Sequence, residues 1–383
     1  MSPEETPLLQ KDGGPAEFGP WPPRLPQNIG HRGYKAAYPE NTMASFRGAV
    51  EAGAHAIETD LHLSRDGVVV LSHDPTLKRC FGVDARIADC DWSYLSTLRT
   101  LQHPREGMPR LADLLEWLAT AAASSDLPAA ASVWLLLDIK TNDDPERLLP
   151  AVARTIASAP PPPGGDMKGW KKRIVIGAWN EHYIRHARLH LPGHPLAYIG
   201  FSLLYARRFL SDEYSDVHFN LAQPTLVGPL GAAFRGAVRA RGRRLFIWTV
   251  NEPRWMAWAV SKGVDGVVTD EVVRLRAVLD RPSSSSSPSS SSSSSSPSSA
   301  SSASDIEAEA NGNAEGLEVG IGVGPGDGMR WPRTIRLYLV AMLWQVGAAL
   351  LTILLWYPLN TRGRPKKGRG AGQLGGATLP VKA

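Results

Sequence analysis

Cysteine is nearly absent from this chain: Cys80 and Cys90 are the only two among 383 residues. A disulfide framework is therefore excluded as the main staple of the fold, and a reducing, cytosolic setting is the simple expectation. The first residues also lack the basic-then-apolar layout of a secretory signal, since Met1 to Pro26 is polar with early glutamates and several prolines. Basic residues interleaved with aromatics along one face are missing too, so the formal net charge of +5 does not argue for a nucleic-acid partner. Apolar residues are scarce in 281–330, which opens on the Ser/Pro tract 283–303 and continues through Asp305, Glu307, Glu309, Glu315 and Glu318. Such composition cannot bury enough surface to fold, and it reads as a disordered linker. Internal repeats are absent.

What is present falls into five stretches: a disordered leader (1–26), a folded domain (27–280), the linker (281–330), a hydrophobic segment (331–360) and a basic tail (361–383). The folded domain alternates apolar, β-rich runs with amphipathic helical segments. Strands are expected at 28–32, 56–63, 132–139, 173–179, 195–201, 217–223, 244–250 and 266–269. Between them lie helical candidates such as Thr42–Ala52, Leu111–Ala122, Pro145–Ala157 and Pro253–Ser261. Strands alternating with helices imply parallel pairing through crossovers. Eight such units in about 250 residues is the size of an α/β barrel of the (β/α)8, or TIM, type; a doubly wound open sheet is the competing architecture. Asn41 or Thr42 caps the first helix, because Glu-Asn-Thr directly precedes an apolar-periodic run.

The chemistry-bearing residues gather at the ends of these strands, where a barrel of this type places its active site. Glu58 and Asp60 lie two apart on the second strand, so both side chains share a face. Paired carboxylates repel unless a cation sits between them, and magnesium or calcium favours such oxygen donors. Asp138, in the run Leu135–Lys140, offers a third carboxylate from the next strand. The alternative is that the acidic pair simply faces solvent at a strand end. His31 and His73 each end an apolar run and can exchange protons near neutral pH, the requirement for an acid–base pair. Arg32 offers a planar fork of donors to phosphate oxygens, and Lys140 a point charge; either can serve instead as an ion-pair partner of the carboxylates. Trp248 lies near the end of the seventh strand. His62 is assigned to the face of its strand turned away from the barrel axis, and the remaining histidines to structural roles.

The series His31-Arg32-Gly33, Pro39-Glu40-Asn41-Thr42, Ser45-Phe46, Ala52-Gly53-Ala54, Glu58-Thr59-Asp60, Asp66-Gly67 and His73-Asp74 resembles the signature of glycerophosphodiester phosphodiesterases. The run from His31 to Thr42, together with the hydrophobic C-terminal segment, is similar to a fungal branch of phosphatidylglycerol-specific phospholipases C. The resemblance implies a TIM barrel and a divalent metal (Mg2+ or Ca2+) held by Glu58, Asp60 and Asp138. It also implies His31 and His73 as the acid–base pair, Arg32 on the phosphate, and Lys140 and Trp248 in the substrate site. Many members carry Glu-x-Lys where this chain has Asp138-Ile139-Lys140, so Asp138 is the one ligand that departs from the pattern. Hydrolysis of phosphatidylglycerol to diacylglycerol and glycerol phosphate is the expected activity. Hydrolysis of soluble glycerophosphodiesters such as glycerophosphocholine, or an inactive lipid-sensing barrel, are the alternatives.

Leu337 to Tyr357 carries no charge and is long enough to span a bilayer. Trp331, Trp356 and Tyr357 stand near its edges as interfacial anchors do. Arginines before it and basic residues after it leave two topologies open, a single span and a shallow hairpin about Gly347. Either tethers a cytosolic catalytic domain to a membrane such as the endoplasmic reticulum, a lipid droplet or the mitochondrial surface. Phe201, Leu204, Tyr205 and Phe209, with Arg207 and Arg208 among them, are expected either as a membrane-facing rim or as ordinary helix packing.

Overall fold

Each apolar run of the folded domain becomes a strand in this computed structural model, which describes residues 26–121, 127–162 and 169–281 together with Leu343, Val346, Gly347 and Leu350. The strands are β1 (Gln27–His31), β2 (Ala56–Leu63), β3 (Val69–Leu71), β4 (Trp134–Ile139), β5 (Ile174–Ala178), β6 (Leu196–Gly200), β7 (Val217–Ala222), β8 (Leu245–Trp248) and β9 (Gly266–Thr269). All but β3 pair in parallel, in the order β1-β9-β8-β7-β6-β5-β4-β2, and β1 also pairs with β2. That last pairing closes the sheet into an eight-stranded parallel barrel and rules out the doubly wound alternative.

A helix follows every barrel strand. These are α1 (Met43–Glu51), α2 (Leu111–Ala121), α3 (Pro145–Ser158), α4 (Glu181–His190), α5 (Leu203–Ala206), α6 (Gly228–Ala240), α7 (Pro253–Lys262) and α8 (Val272–Leu279). Local chemistry sets their starts. Thr42 caps α1 in a reciprocal box with Ser45, each side chain accepting the other's backbone N–H at 3.2 Å. Asp144 caps α3 with Pro145 in its first turn, and Asn180 caps α4.

Strand β3 is not among the expected strands. It folds back antiparallel on β2, with Leu61, His62 and Leu63 opposite Leu71, Val70 and Val69. The turn between them needs Gly67, whose φ of 84° is left-handed. Three apolar residues are a short signal, and the hairpin extends β2 beyond the barrel rim. His73 therefore enters the site from this excursion rather than from a barrel strand.

Side-chain alternation sorts the strands into two cores. Residues of one parity (Leu61, Leu135, Leu137, Ile174, Ile176, Ile247, Val267) pack outward against the helices. Residues of the other parity fill the barrel: Ile29, Ala56, Trp134, Leu136, Val175, Ala197, Phe246 and Val268. This interior plug occupies the lower layers, as in barrels of this kind. Moving up each strand by twos from the plug reaches His31, Glu58, Asp60, Asp138, Trp179, Trp248 and Asp270. The expected placement of His62 is corrected by the same alternation. It shares parity with Glu58 and Asp60, while Leu61 and Leu63 on either side face the helices.

Of the expected leader, linker, membrane segment and basic tail, little falls within the described residues. Leu343, Val346, Gly347 and Leu350 are helical and exposed. Among the described residues no helix is long and apolar enough to cross a membrane.

Candidate active site

The cavity at the C-terminal ends of the strands is lined by His31, Arg32, Glu58, Asp60, His73, Asp138, Lys140 and Trp248, all eight of the residues expected at the site, with Trp179, Ile199, Asn220, Thr249 and Val268 beside them. Register explains the gathering. His31 stands opposite Glu58 across β1 and β2, and Asp60 stands opposite Asp138 across β2 and β4. Parallel partners project the same way, so three carboxylates from two adjacent strands converge. Oxygens of Glu58, Asp60 and Asp138 lie within 4.8 Å of one another, and all three residues are buried.

Lys140 holds the cluster together electrostatically. Its Nζ lies 2.7 Å from Asp60 Oδ1 and 2.6 Å from Asp138 Oδ2, and these two ion pairs raise its pKa against the opposing effect of burial. Asp60 is accordingly held well below the usual carboxylate range: burial opposes this, but Lys140 and Arg32 outweigh it. Glu58 goes the other way. Burial, then the charges of Asp60 and Asp138, push its pKa well above normal. One lysine and one arginine do not neutralise three buried carboxylates at this spacing, and Glu58 shows the deficit. A hard divalent cation fits that deficit and the all-oxygen donor set.

Each of these carboxylates is also oriented by a neutral donor. Asn41 Nδ2 donates to Asp60 Oδ2 at 2.8 Å, Trp179 Nε1 to Asp138 Oδ1 at 2.7 Å, and the Arg32 backbone N–H to Glu58 Oε2 at 2.9 Å. Such partners fix the direction of metal-ligand oxygens. Arg32 (φ 56°) and Asn41 (φ 53°) both sit in the left-handed region, which non-glycine residues rarely adopt. Hydrogen bonds hold them there, from Asn41 N–H to the Arg32 carbonyl at 3.0 Å and from Ser45 Oγ to the same carbonyl at 2.9 Å. Local strain of this kind persists where the site over-determines it.

The two histidines are each backed by a carboxylate. His31 Nδ1 lies 2.6 Å from Asp270 Oδ1, and His73 Nδ1 lies 2.8 Å from Asp74 Oδ1. An ionised carboxylate only accepts, so both imidazoles carry their proton on Nδ1 and leave Nε2 as the basic nitrogen. For His31, Nε2 is turned toward Glu58, at 4.0 Å from Oε2. Burial lowers the pKa of both rings, against the raising effect of the carboxylates beside them. Arg32 donates to Glu40 at 2.9 Å, while its buried Nε, 3.4 Å from Asp60, has no hydrogen-bond partner. The guanidinium thus sits among Glu40 and Asp60 at the cavity wall. Trp248 packs edge-on to Trp179 at 5.7 Å and donates to the Asn220 carbonyl at 3.0 Å, forming an aromatic wall.

Several partners are not visible in the sequence pattern. Asp270 directly follows β9, and its carboxylate is further fixed by Asn251 Nδ2 at 2.8 Å. Glu40 accepts from both Arg32 and Arg79, and Arg79 in turn binds Asp74 at 2.7 Å, which links Arg32 to His73 through one chain of charges. His62 is buried between Asp143 (2.5 Å) and the His73 carbonyl (3.2 Å), so it braces the loop that carries His73. Glu40 and Asp74 stand in the signature series without a role assigned to them, and Asp270 carried a positional signal, since it ends the last apolar run as His31 ends the first.

Comparison with known proteins agrees with this geometry. The model of the Glycerophosphoryl diester phosphodiesterase family matches residues 31–274, well over half of the chain. A probable glycerophosphodiester phosphodiesterase 2 of Mycobacterium tuberculosis is 27% identical over 264 residues, covering 66% of this chain and 89% of that protein. Human lysophospholipase D is 44% identical over 71 residues, 18% of this chain and 23% of that protein. Among solved structures, a glycerophosphodiester phosphodiesterase of Thermotoga maritima superposes with a TM-score of 0.52 at 25% identity, over 66% of this chain and 98% of that one. An Oleispira antarctica phosphodiesterase in complex with the product sn-glycerol-3-phosphate gives a TM-score of 0.56 at 22% identity, over 67% and 98%.

Proposed function

Because the chain belongs to the glycerophosphoryl diester phosphodiesterase family, and so hydrolyses phosphoric diesters, we propose that its substrate is a phospholipid and its reaction that of a phospholipase C on phosphatidylglycerol. The observation that favours a lipid over a soluble diester is the uncharged run Leu337–Tyr357 in the same chain, joined to the barrel by a long polar linker. On this reading the barrel works on the cytosolic side of the membrane that the run enters.

Glu58, Asp60 and Asp138 would hold the divalent cation, Mg2+ or Ca2+. When bound, such an ion supplies positive charge that acidifies a nearby hydroxyl and neutralises phosphoryl oxygens. The chain's own groups do the rest. Arg32, whose guanidinium lines the cavity beside Asp60, binds a phosphoryl oxygen and stabilises charge that develops on it. One histidine, through its basic Nε2, takes the proton from a hydroxyl of the glycerol headgroup. That oxygen bonds to phosphorus, the P–O bond to diacylglycerol breaks, and the other histidine, which enters the step in its imidazolium form, gives its Nε2 proton to the departing oxygen. Water then opens the resulting cyclic phosphate to glycerol phosphate. Headgroups without a neighbouring hydroxyl cannot take the first step, so phosphatidylcholine and phosphatidylethanolamine are expected not to turn over.

A second reading rests on the catalytic cavity itself, about 110 Å³ with charged side chains from His31 to Lys140 in its wall, which suits a glycerol phosphate moiety without any acyl body. On that reading the substrates are soluble glycerophosphodiesters, as the product-bound Oleispira antarctica structure and its sn-glycerol-3-phosphate suggest by analogy. A product assay separates the two. Detergent-solubilised protein receives phosphatidylglycerol or glycerophosphocholine with Mg2+ or Ca2+, with Glu58→Ala as control. Diacylglycerol and glycerol phosphate from the lipid alone support the phospholipase C; glycerol phosphate from the soluble diester alone overturns it.

A further inference from the structure

We propose that the apolar cavity beside the catalytic mouth, walled by Phe201, Leu203, Leu204, Leu230 and Phe234, receives an acyl chain of the lipid diester. This assignment rests on the phospholipid reading above and goes beyond it by naming where the non-reacting part of the substrate lies. The cavity measures about 230 Å³, twice the catalytic one. An apolar cavity of about 150 Å³ is enough to hold a benzene ring, so this one takes a run of acyl methylenes.

Its position ties it to the chemistry. Ile199 on β6 and Asn220 on β7 line the catalytic cavity. Phe201 and Thr225, just beyond the ends of those two strands, line the apolar one. The two spaces thus share one sector of the barrel rim, and a diester seated at His31 and His73 has an apolar space in the adjoining sector for its acyl chain.

The entrance is built from side chains that a folded domain ordinarily hides. Leu204 is 55% exposed and Leu230 65% exposed, on helices from successive units, and both face the same cavity. The expected rim is thereby divided. Tyr205 and Phe209 are buried and stack with Tyr198, whereas Phe201 and Leu204 stay at the surface. Arg207 is exposed at the same edge, placed to meet anionic headgroups, while its neighbour Arg208 is tied to Glu181 at 2.6 Å. Apolar leucines beside an arginine on the substrate-facing rim match a lipid surface in both chemistry and charge.

The test uses the full-length protein in detergent micelles and a chain-length series: dioleoyl phosphatidylglycerol, dihexanoyl phosphatidylglycerol and acyl-free glycerophosphoglycerol. The double variant Leu204→Ser, Leu230→Ser removes only exposed apolar surface, so the barrel stays folded. Its KM for the dioleoyl lipid is expected to rise about tenfold, the equivalent of losing part of two leucine contacts. Kinetics on glycerophosphoglycerol are expected to stay unchanged, with dihexanoyl lipid between. Turnover of every chain length by wild type, with the variant altering none or altering all alike, overturns the acyl site and leaves the phospholipid reading standing. Turnover of glycerophosphoglycerol but of no phosphatidylglycerol overturns the phospholipid reading, and the acyl site with it. A photocrosslinking residue at position 230 that labels the chain's own 331–360 segment instead of a lipid probe also overturns the acyl site.

Discussion

Replacing Asp270 by Asn tests the reading of the histidine pair at its most exposed point. The carboxylate of Asp270 accepts from His31 Nδ1 at 2.6 Å and from Asn251 Nδ2 at 2.8 Å. Burial on its own raises the Asp270 pKa, but these hydrogen bonds, the His31 charge and Lys35 at 3.6 Å outweigh it and hold the group at about 2. An amide at this position can turn its NH2 toward His31, which would move the ring proton to Nε2 and remove the basic nitrogen from the cavity. Loss of a charge-assisted hydrogen bond costs roughly 1.5–3 kcal/mol, and loss of a correctly set acid–base group costs about 10²–10⁴ in rate. We therefore expect Asp270→Asn to lower kcat by about 10² or more, with KM little changed. Stability responds with a definite sign. A carboxylate depressed from about 3.9 to about 2 stabilises the fold fully above pH ~4 and loses that contribution as pH falls toward 2. With part of the group open to solvent, its worth is roughly 1–2 kcal/mol. Acid-unfolding curves of wild type and variant should converge only below pH ~2, while kcat against pH reports the histidine directly. A variant that keeps kcat within a factor of ~3 and an unchanged pH profile would refute the tautomer argument.

The other expectations concern separate parts of the site. Glu58→Gln should abolish activity and weaken binding of Mg2+ or Ca2+ measured by calorimetry, and chelation of wild type should do the same reversibly; undiminished turnover in excess chelator would remove the metal from the scheme. Arg79→Met breaks the bridge between Glu40 and Asp74, yet Arg79 is 48% exposed, so thermal stability should fall by no more than ~1 kcal/mol while kcat drops about tenfold through a loosened His73. Gly33 has a φ of 83°, and a Cβ there would lie 2.4 Å from Ser45 Oγ and 2.6 Å from Ser45 backbone carbon. Gly33→Ala should thus cost roughly 3 kcal/mol in denaturant unfolding, and a neutral result would mean the His31–Ser45 turn is softer than its contacts imply. For topology, a C-terminal tag protected from protease on intact microsomes would defeat the hairpin.

The barrel was legible because its signal is repeated eight times. Parallel strands buried on both faces read as apolar runs of 4–8 residues, and every expected barrel strand overlaps an observed one. Glu58, Asp60 and Asp138 were legible for a related reason: an ionisable side chain inside such a run has no inexpensive place to go without a partner. What stayed hidden was pairing between distant segments. Nothing local marks Trp179 as a donor to Asp138, 41 residues away, or Asp270 as the partner of His31, 239 residues away. The hairpin strand β3 escaped because three residues carry little periodicity. His62 was misplaced against the period-2 rule itself, which sets it, two residues beyond Asp60 within β2, on the face of Glu58 and Asp60.

Of the two roles open to Arg32 and Lys140, phosphate ligand or ion-pair partner, the structure shows the second: Arg32 pairs with Glu40 and Asp60, Lys140 with Asp60 and Asp138. Lys140 bridges Asp60 and Asp138 and so pre-pays the desolvation of two carboxylates that must stay ionised to be useful. Glu58 lacks an equivalent cation, and its raised pKa means that it resists ionising until positive charge arrives. Binding a divalent ion must then displace a proton from Glu58, which makes metal affinity fall as pH drops. A divalent ion held by the three carboxylates would compete with Lys140 for Asp60 and Asp138, and on the proposed reading the lysine so released would be available to the phosphate. Lys140→Met should consequently tighten metal binding relative to wild type while raising KM for the diester. Weaker metal binding in that variant would show that Lys140 orients the carboxylates rather than competing with the ion.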